Sequence, residues 1–95
     1  MTKKRVVVAG FGASGSVYAL LVKKFLKEQV DVIAIERSNY PPYSRCGLPY
    51  LVSGIVAEPE QLYYQPRSFY EENGIKVLYN ANIEEIDPDN NVVVV

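Results

Sequence analysis

Residues 6–9, Val-Val-Val-Ala, form a short apolar run without alternation that ends at Gly10. Such a run predicts a strand covered on both faces of a parallel sheet, and therefore a central one. From Ser14 to about Gln29 the apolar residues Val17, Leu20, Leu21, Phe25 and Leu26 recur at helical spacing. Lys23, Lys24 and Lys27 gather on one face, and the last two lie near the end of the segment, where cations complement the helix dipole. Residues 30–36, Val-Asp-Val-Ile-Ala-Ile-Glu, predict a second strand. The first 36 residues thus read as one β-α-β unit with parallel strands.

Residues 37–43 hold Pro41 and Pro42 among polar side chains and predict a loop, followed by a short helical turn over 47–53 with Pro49 near its start. Pro66 predicts the opening of another helix that Gly74 terminates, and residues 75–79 a third strand. Residues 83–86 and 92–95 flank Asp87-Pro88-Asp89-Asn90-Asn91, strong turn chemistry between two apolar runs, and predict a terminal hairpin. The predicted fold class is therefore α/β, a partial Rossmann-like domain with a parallel sheet, a β-α-β start and a terminal β-hairpin.

Composition narrows the partners. A chain of 95 residues with 48% hydrophobic residues, 22% charged residues and a net charge of −1 carries no bulk charge to recruit nucleic acid or an anionic membrane. The start Met1-Thr2-Lys3-Lys4-Arg5 is basic, but the apolar run after it is too short for a signal core or a membrane span, so a cytoplasmic location is expected. One cysteine cannot form an internal disulfide, which fits a reducing compartment. Glu84, Glu85, Asp87 and Asp89 stand in turn surroundings without any histidine, and read as a solvated hairpin with no metal site.

The chemistry concentrates in two places. Gly10, Gly12 and Gly15 have the spacing of a dinucleotide fingerprint: Gly10 for the tight strand-to-helix turn, Gly12 for close approach of a pyrophosphate, Gly15 for packing of helix on strand. Free amides around Ala13, Ser14 and Gly15 and the positive end of the helix dipole would hold the phosphates. Glu36 closes the second strand 21 residues past Gly15, where a carboxylate accepts hydrogen bonds from ribose hydroxyls and disfavours a 2′-phosphate. The second place is Cys46, in the run Tyr43-Ser44-Arg45-Cys46-Gly47-Leu48-Pro49-Tyr50. A helix start and the neighbouring Arg45 both favour thiolate, the reactive form. By itself a lone cysteine is as readily a small buried hydrophobe. Tyr40, Tyr43 and Tyr50 read equally as pocket walls or as half-buried core.

Residues 6–15, Glu36 and Cys46-Gly47-Leu48-Pro49-Tyr50, followed by Gly54, Phe69 and Gly74-Ile75-Lys76-Val77, resemble the N-terminus of the flavin-dependent pyridine nucleotide–disulfide oxidoreductases. More narrowly they are similar to the single-cysteine branch of NADH oxidases, NADH peroxidases and coenzyme A–disulfide reductases. Leu51 stands where the two-cysteine branches carry their second cysteine. Ala13 stands where the peroxidases and some oxidases carry a histidine, which leans the resemblance toward the reductases and related oxidases. Arg45 and Pro42 depart from the Asn and Ser that the family often has there.

The resemblance implies that residues 1–95 are an incomplete, truncated N-terminal FAD/NAD(P)-binding domain. It implies FAD as cofactor, held by Gly10, Gly12, Ala13, Ser14, Gly15, Glu36, Arg37 and Ile83, with Cys46 as redox-active thiol over the flavin. NAD(P)H would be the reductant, bound outside this chain, and a small-molecule disulfide, peroxide or oxygen the acceptor. Full-length members are homodimeric, and no turnover is expected of these 95 residues alone. Two other readings stay open: a stand-alone nucleotide-binding module with a structural cysteine, and an inactive truncated product.

Overall fold

The computed structural model describes residues 3–95; Met1 and Thr2, the start of the basic N-terminus, lie outside them. The β-α-β unit forms as its pattern predicts. Strand β1 (Lys4–Ala9) leads through Gly10 into helix α1 (Ala13–Leu26), a 3-10 turn (Lys27–Gln29) and strand β2 (Val30–Ile35). Then come a 3-10 turn (Arg45–Gly47), helix α2 (Leu48–Val52), a further 3-10 turn (Pro59–Leu62), helix α3 (Arg67–Glu72) and strand β3 (Ile75–Leu78). Strands β4 (Glu85–Asp87) and β5 (Val92–Val94) pair antiparallel as the expected hairpin. Its turn closes on the Asp87 carboxylate, which accepts from the amides of Asp89 and Asn90, and Asn91 adopts φ +54°.

The sheet is parallel, in the order β1-β2-β3. Val6 and Val8 of β1 stand opposite Val32 and Ala34 of β2, which in turn stand opposite Ile75 and Val77 of β3. Registered neighbours in a parallel sheet share a face. That face carries the core, where Val8, Val30, Val32, Ala34 and Ile75 pack with Ala19 of α1, Phe11 of the glycine loop and Tyr70 of α3. Phe11 and Tyr70 meet edge to face with ring centroids 4.9 Å apart, and Phe69 meets Tyr70 in the same way at 5.5 Å. The geometry adds about 1 kcal/mol per pair beyond simple area burial.

The apolar run of the first strand predicts a central position, and within the described residues that strand stands at the edge of the sheet. Among the described residues β1 pairs only with β2, so β2 is central and β1 is an edge. Nor is β1 covered on both sides: Val8 is buried, while Val7, which points to the opposite face, is 39% exposed. The reason is that both helices of the core cluster serve one face. An uninterrupted apolar run signals that both faces of a strand favour burial; among the described residues only one face of β1 is covered.

An open strand edge beside an uncovered valine is a template for pairing with another copy. The 95-residue chain should therefore associate as its concentration rises in sedimentation velocity, and Val7→Lys should return it toward a monomer. A wild-type chain that stays monomeric at the highest concentrations would rule this out.

Candidate functional site

The parallel strands end on one side of the sheet, and the glycine loop forms there. Gly10 adopts φ +93°, a conformation L side chains rarely adopt, and its amide donates to the Ile35 carbonyl at 2.9 Å, tying the turn to the end of β2. Gly15 lies so close to this turn that a Cβ would overlap the Gly10 carbonyl oxygen and come within 3.2 Å of Val8 Cγ1. Gly12 differs: a Cβ there would meet nothing within 4 Å and would project into open space. The first α-helical bond runs from the Ser16 amide to the Gly12 carbonyl at 3.0 Å, so the amides of Ala13, Ser14 and Gly15 precede it.

Beside this loop lies a cleft of about 320 Å³, within the range of small-molecule sites. Gly10, Phe11 and Gly12 form one wall, Glu36, Arg37 and Arg45 a second, and Ala81, Asn82 and Ile83 a third. Five of the residues expected to hold cofactor, Gly10, Gly12, Glu36, Arg37 and Ile83, thus meet in one cavity although 73 positions separate the first from the last. Ala13, Ser14 and Gly15 stand at the start of α1, directly after the Gly12 that lines the cleft. A smaller hollow of about 120 Å³ shares Gly12, Glu36, Arg37 and Arg45 and adds Tyr40 and Tyr43. Of the three tyrosines around the cysteine, Tyr40 and Tyr43 are thus cavity walls, while Tyr50 is exposed on α2.

Glu36 is the hinge of the site. Its Oε1 accepts from the Phe11 amide at 3.1 Å and its Oε2 from the Ser38 amide at 2.8 Å. Burial raises the carboxyl pKa, but the hydrogen bonds from Ser38 and Phe11 and the neighbouring Arg37 charge outweigh it, and the net shift is downward. Each oxygen keeps a free lone pair, so the carboxylate can hold the loop and still accept from a ligand.

Cys46 is exposed, in the 3-10 turn Arg45–Gly47 immediately before α2. It does not line the cleft, although Arg45 does. Helix α2 is only five residues long, and the Arg45 guanidinium lies over the Tyr43 ring with its Cζ 5.9 Å from the centroid. The turn is held from below by an antiparallel clasp that sequence reasoning missed. Tyr43 bridges Tyr63, the Ser44 amide donates to the Leu62 carbonyl at 2.8 Å, and the Tyr64 amide to the Pro42 carbonyl at 3.1 Å. Also missed were Phe11, Ala81 and Asn82 as cleft walls. Their signal was available, since each follows the carboxyl end of a parallel strand, the side on which open α/β sheets bind ligands.

The comparisons with known proteins agree with this geometry. The chain is 38% identical over 85 residues to the NAD(P)H coenzyme A polysulfide/persulfide reductase of Pyrococcus horikoshii, covering 90% of the chain and 19% of that protein. It is 24% identical over 90 residues to an NADH oxidase of Methanocaldococcus jannaschii, covering 94% of the chain and 20% of the oxidase. With a coenzyme A disulfide reductase of Staphylococcus epidermidis the identity is 24% over 92 residues, 96% of the chain and 21% of the reductase. The chain is homologous to one part of these oxidoreductases. It spans about a fifth of the length of the curated relatives it matches. Among solved structures, the NAD-dependent persulfide reductase of A. fulgidus superposes with a TM-score of 0.82 at 30% identity, over 94% of this chain and 17% of that one. No protein-family model matches. Among the described residues no helix is long and apolar enough to cross a membrane.

Two outcomes follow from the site's construction. Because the Glu36 pKa is lowered by folding, its contribution to stability is present above the ordinary glutamate range near ~4.3 and is lost as pH falls through the lower folded value. Glu36→Gln should accordingly flatten the acid limb of a pH series of urea midpoints; a limb of unchanged slope would show that the carboxylate does not carry it. Gly15→Ala should lower the melting temperature, at a stability cost of about 1–3 kcal/mol from forced overlap in a packed site; an unchanged melting temperature would show that the turn yields freely.

Proposed function

We propose that this chain is the FAD-binding part of a flavin-dependent NAD(P)H oxidoreductase of the coenzyme A–disulfide reductase, persulfide reductase or NADH oxidase type, with Cys46 as its redox thiol. The observation that carries the reading is the cleft itself, where a glycine turn, a loop-anchored acid and a third wall from beyond β3 converge at the carboxyl ends of the strands. The relatives named as NAD(P)H-dependent reductases and oxidases supply the chemical class.

The residues present fit the group. The open space beside Gly12 admits a pyrophosphate where a side chain would block it, and the first-turn amides of Ala13, Ser14 and Gly15 offer donors to its oxygens. Glu36 would accept from the adenosine ribose through its remaining lone pairs, while Arg37 borders the cleft and the backbone of Ile83 would lie against the adenine. Bound FAD would supply two-electron transfer between NAD(P)H and an acceptor. Cys46, exposed and unpaired as a free thiol, is open to exchange with a small disulfide, and a single thiol suits a reducing cytoplasm. Peroxide and oxygen are the other acceptors of this reading, and NAD(P)H would bind in the part of the protein that the relatives have beyond these 95 residues.

The visible spectrum after incubation with FAD and desalting tests the proposal, on wild type, Gly12→Val and Cys46→Ser. Wild type should retain flavin, and Gly12→Val should lose it with little change in melting temperature, since its side chain occupies only the cleft. A long-wavelength thiolate-to-flavin band present in wild type and absent in Cys46→Ser would support the thiol's role. Identical spectra would remove that role and leave the FAD site. A folded wild-type chain that retains no flavin yet binds NAD or AMP would instead be a nucleotide-binding module.

A further inference from the structure

The two far walls of the cleft belong to segments that run side by side beyond the sheet. The Glu36 amide donates to the Leu78 carbonyl at 2.9 Å, the Ala81 amide to the Glu36 carbonyl at 3.1 Å, and the Asn80 amide to the Ser38 carbonyl at 3.0 Å. Asn80 makes this possible by adopting φ +55°, a left-handed turn that asparagine tolerates. At the end of this ladder stands Arg67, the first residue of α3. Its guanidinium donates to both the backbone carbonyl and the Oδ1 of Asn39, and its Cζ lies 4.1 Å from the centroid of the Tyr79 ring. Asn80 Nδ2 adds a third bond to Asn39 Oδ1 at 3.2 Å. Below the guanidinium the Tyr79 hydroxyl is buried with no hydrogen-bond partner among the described residues, so the ring is held by packing and by the cation above it.

We infer that Arg67 is a positioning residue for nucleotide binding: it joins Asn39, on the loop that carries Glu36 and Arg37, to Tyr79, on the segment that carries Ala81, Asn82 and Ile83, and so sets the width of the adenosine end of the cleft. Arg67 lines none of the cavity itself, so its effect reaches the ligand only through the two walls. The planar guanidinium of arginine suits this place. One terminal nitrogen, Nη2, donates to both Asn39 oxygens while the plane of the group lies over the Tyr79 ring, and a compact lysine ammonium has no such plane. The inference rests on the nucleotide reading of the cleft.

The test is the Kd for ADP, measured by calorimetry on the full chain for wild type, Arg67→Ala, Asn39→Ala, the double variant and Arg67→Lys, with melting temperatures alongside. Arg67→Ala should weaken ADP about fivefold, and Asn39→Ala by less, since the backbone carbonyl at position 39 still accepts from Arg67 and the guanidinium still lies over Tyr79. The double variant should be no weaker than Arg67→Ala, because the Asn39 amide acts only through that latch, and Arg67→Lys should fall between wild type and Arg67→Ala. Purely structural damage would instead make losses of affinity track losses of melting temperature and add in the double variant, which would overturn the positioning role. Wild-type affinity in folded Arg67→Ala would overturn it while leaving the nucleotide site standing. Should Arg67→Ala not fold, Arg67→Lys decides by the same criterion. A wild-type chain that binds no ADP would overturn the cleft reading and this inference together.

Discussion

The approach of Gly15 to the carbonyl of Gly10 sets where helix α1 can begin, and most of the molecule follows from that placement. With hydrogen in place of a side chain, the first turn of the helix presses against the turn that ends β1, and Ala19 one turn later reaches the sheet with no exposed surface. The same contact folds the glycine loop outward, so that Phe11 enters the core against Tyr70 while Gly12 faces the cleft. One close approach thus divides three consecutive residues of the loop between turn, core and site. A methyl group at position 15 would force the helix away and disturb all three at once.

Glu36 extends this constraint to the rest of the site. Loops at the ends of parallel strands have no ladder partner of their own, and their free amides need acceptors. The Glu36 carboxylate supplies one for the glycine loop and one for the loop after β2. Its backbone meanwhile donates to Leu78 at the end of β3 and accepts from Ala81 in the segment after it. A single residue therefore touches all three strand ends, and the cleft is the space among them. Its lowered carboxyl pKa has the same origin, since amides aimed at an anion stabilise its charge.

The long connection between β2 and β3 solves a different problem. It must carry Cys46 away from the sheet without a core of its own, and it does so with short helical turns braced by the 42–44 and 62–64 clasp. Gln61 adds to this by accepting from the amides of Ala57 and Glu58, capping the 3-10 turn Pro59–Leu62. The cysteine is held on a framed but exposed turn, one residue from the Arg45 that borders the cleft.

The sequence by itself determined the parts governed by local chemistry: the β-α-β unit, the glycine turn, the acid at the end of β2, the α3 stop at Gly74 and the Asp87 turn of the hairpin. Each depends on residues near one another in the chain, through periodicity, backbone preference or a short-range hydrogen bond. Cys46 and the glycine fingerprint were legible as motifs for the same reason. Only the tertiary structure decided that the described helices cover the Val8 face of β1 and leave Val7 exposed, because that depends on where α1 and α3 dock and not on the strand's own residues. It also decided that Ile83 and the Gly10 turn line one cleft, that the carboxylate of Glu36 binds Phe11 across 25 positions, and that Arg67 bridges Asn39 and Tyr79. Such pairings cost loop-closure entropy and are repaid by the core that brings the strand ends together, so no local pattern announces them.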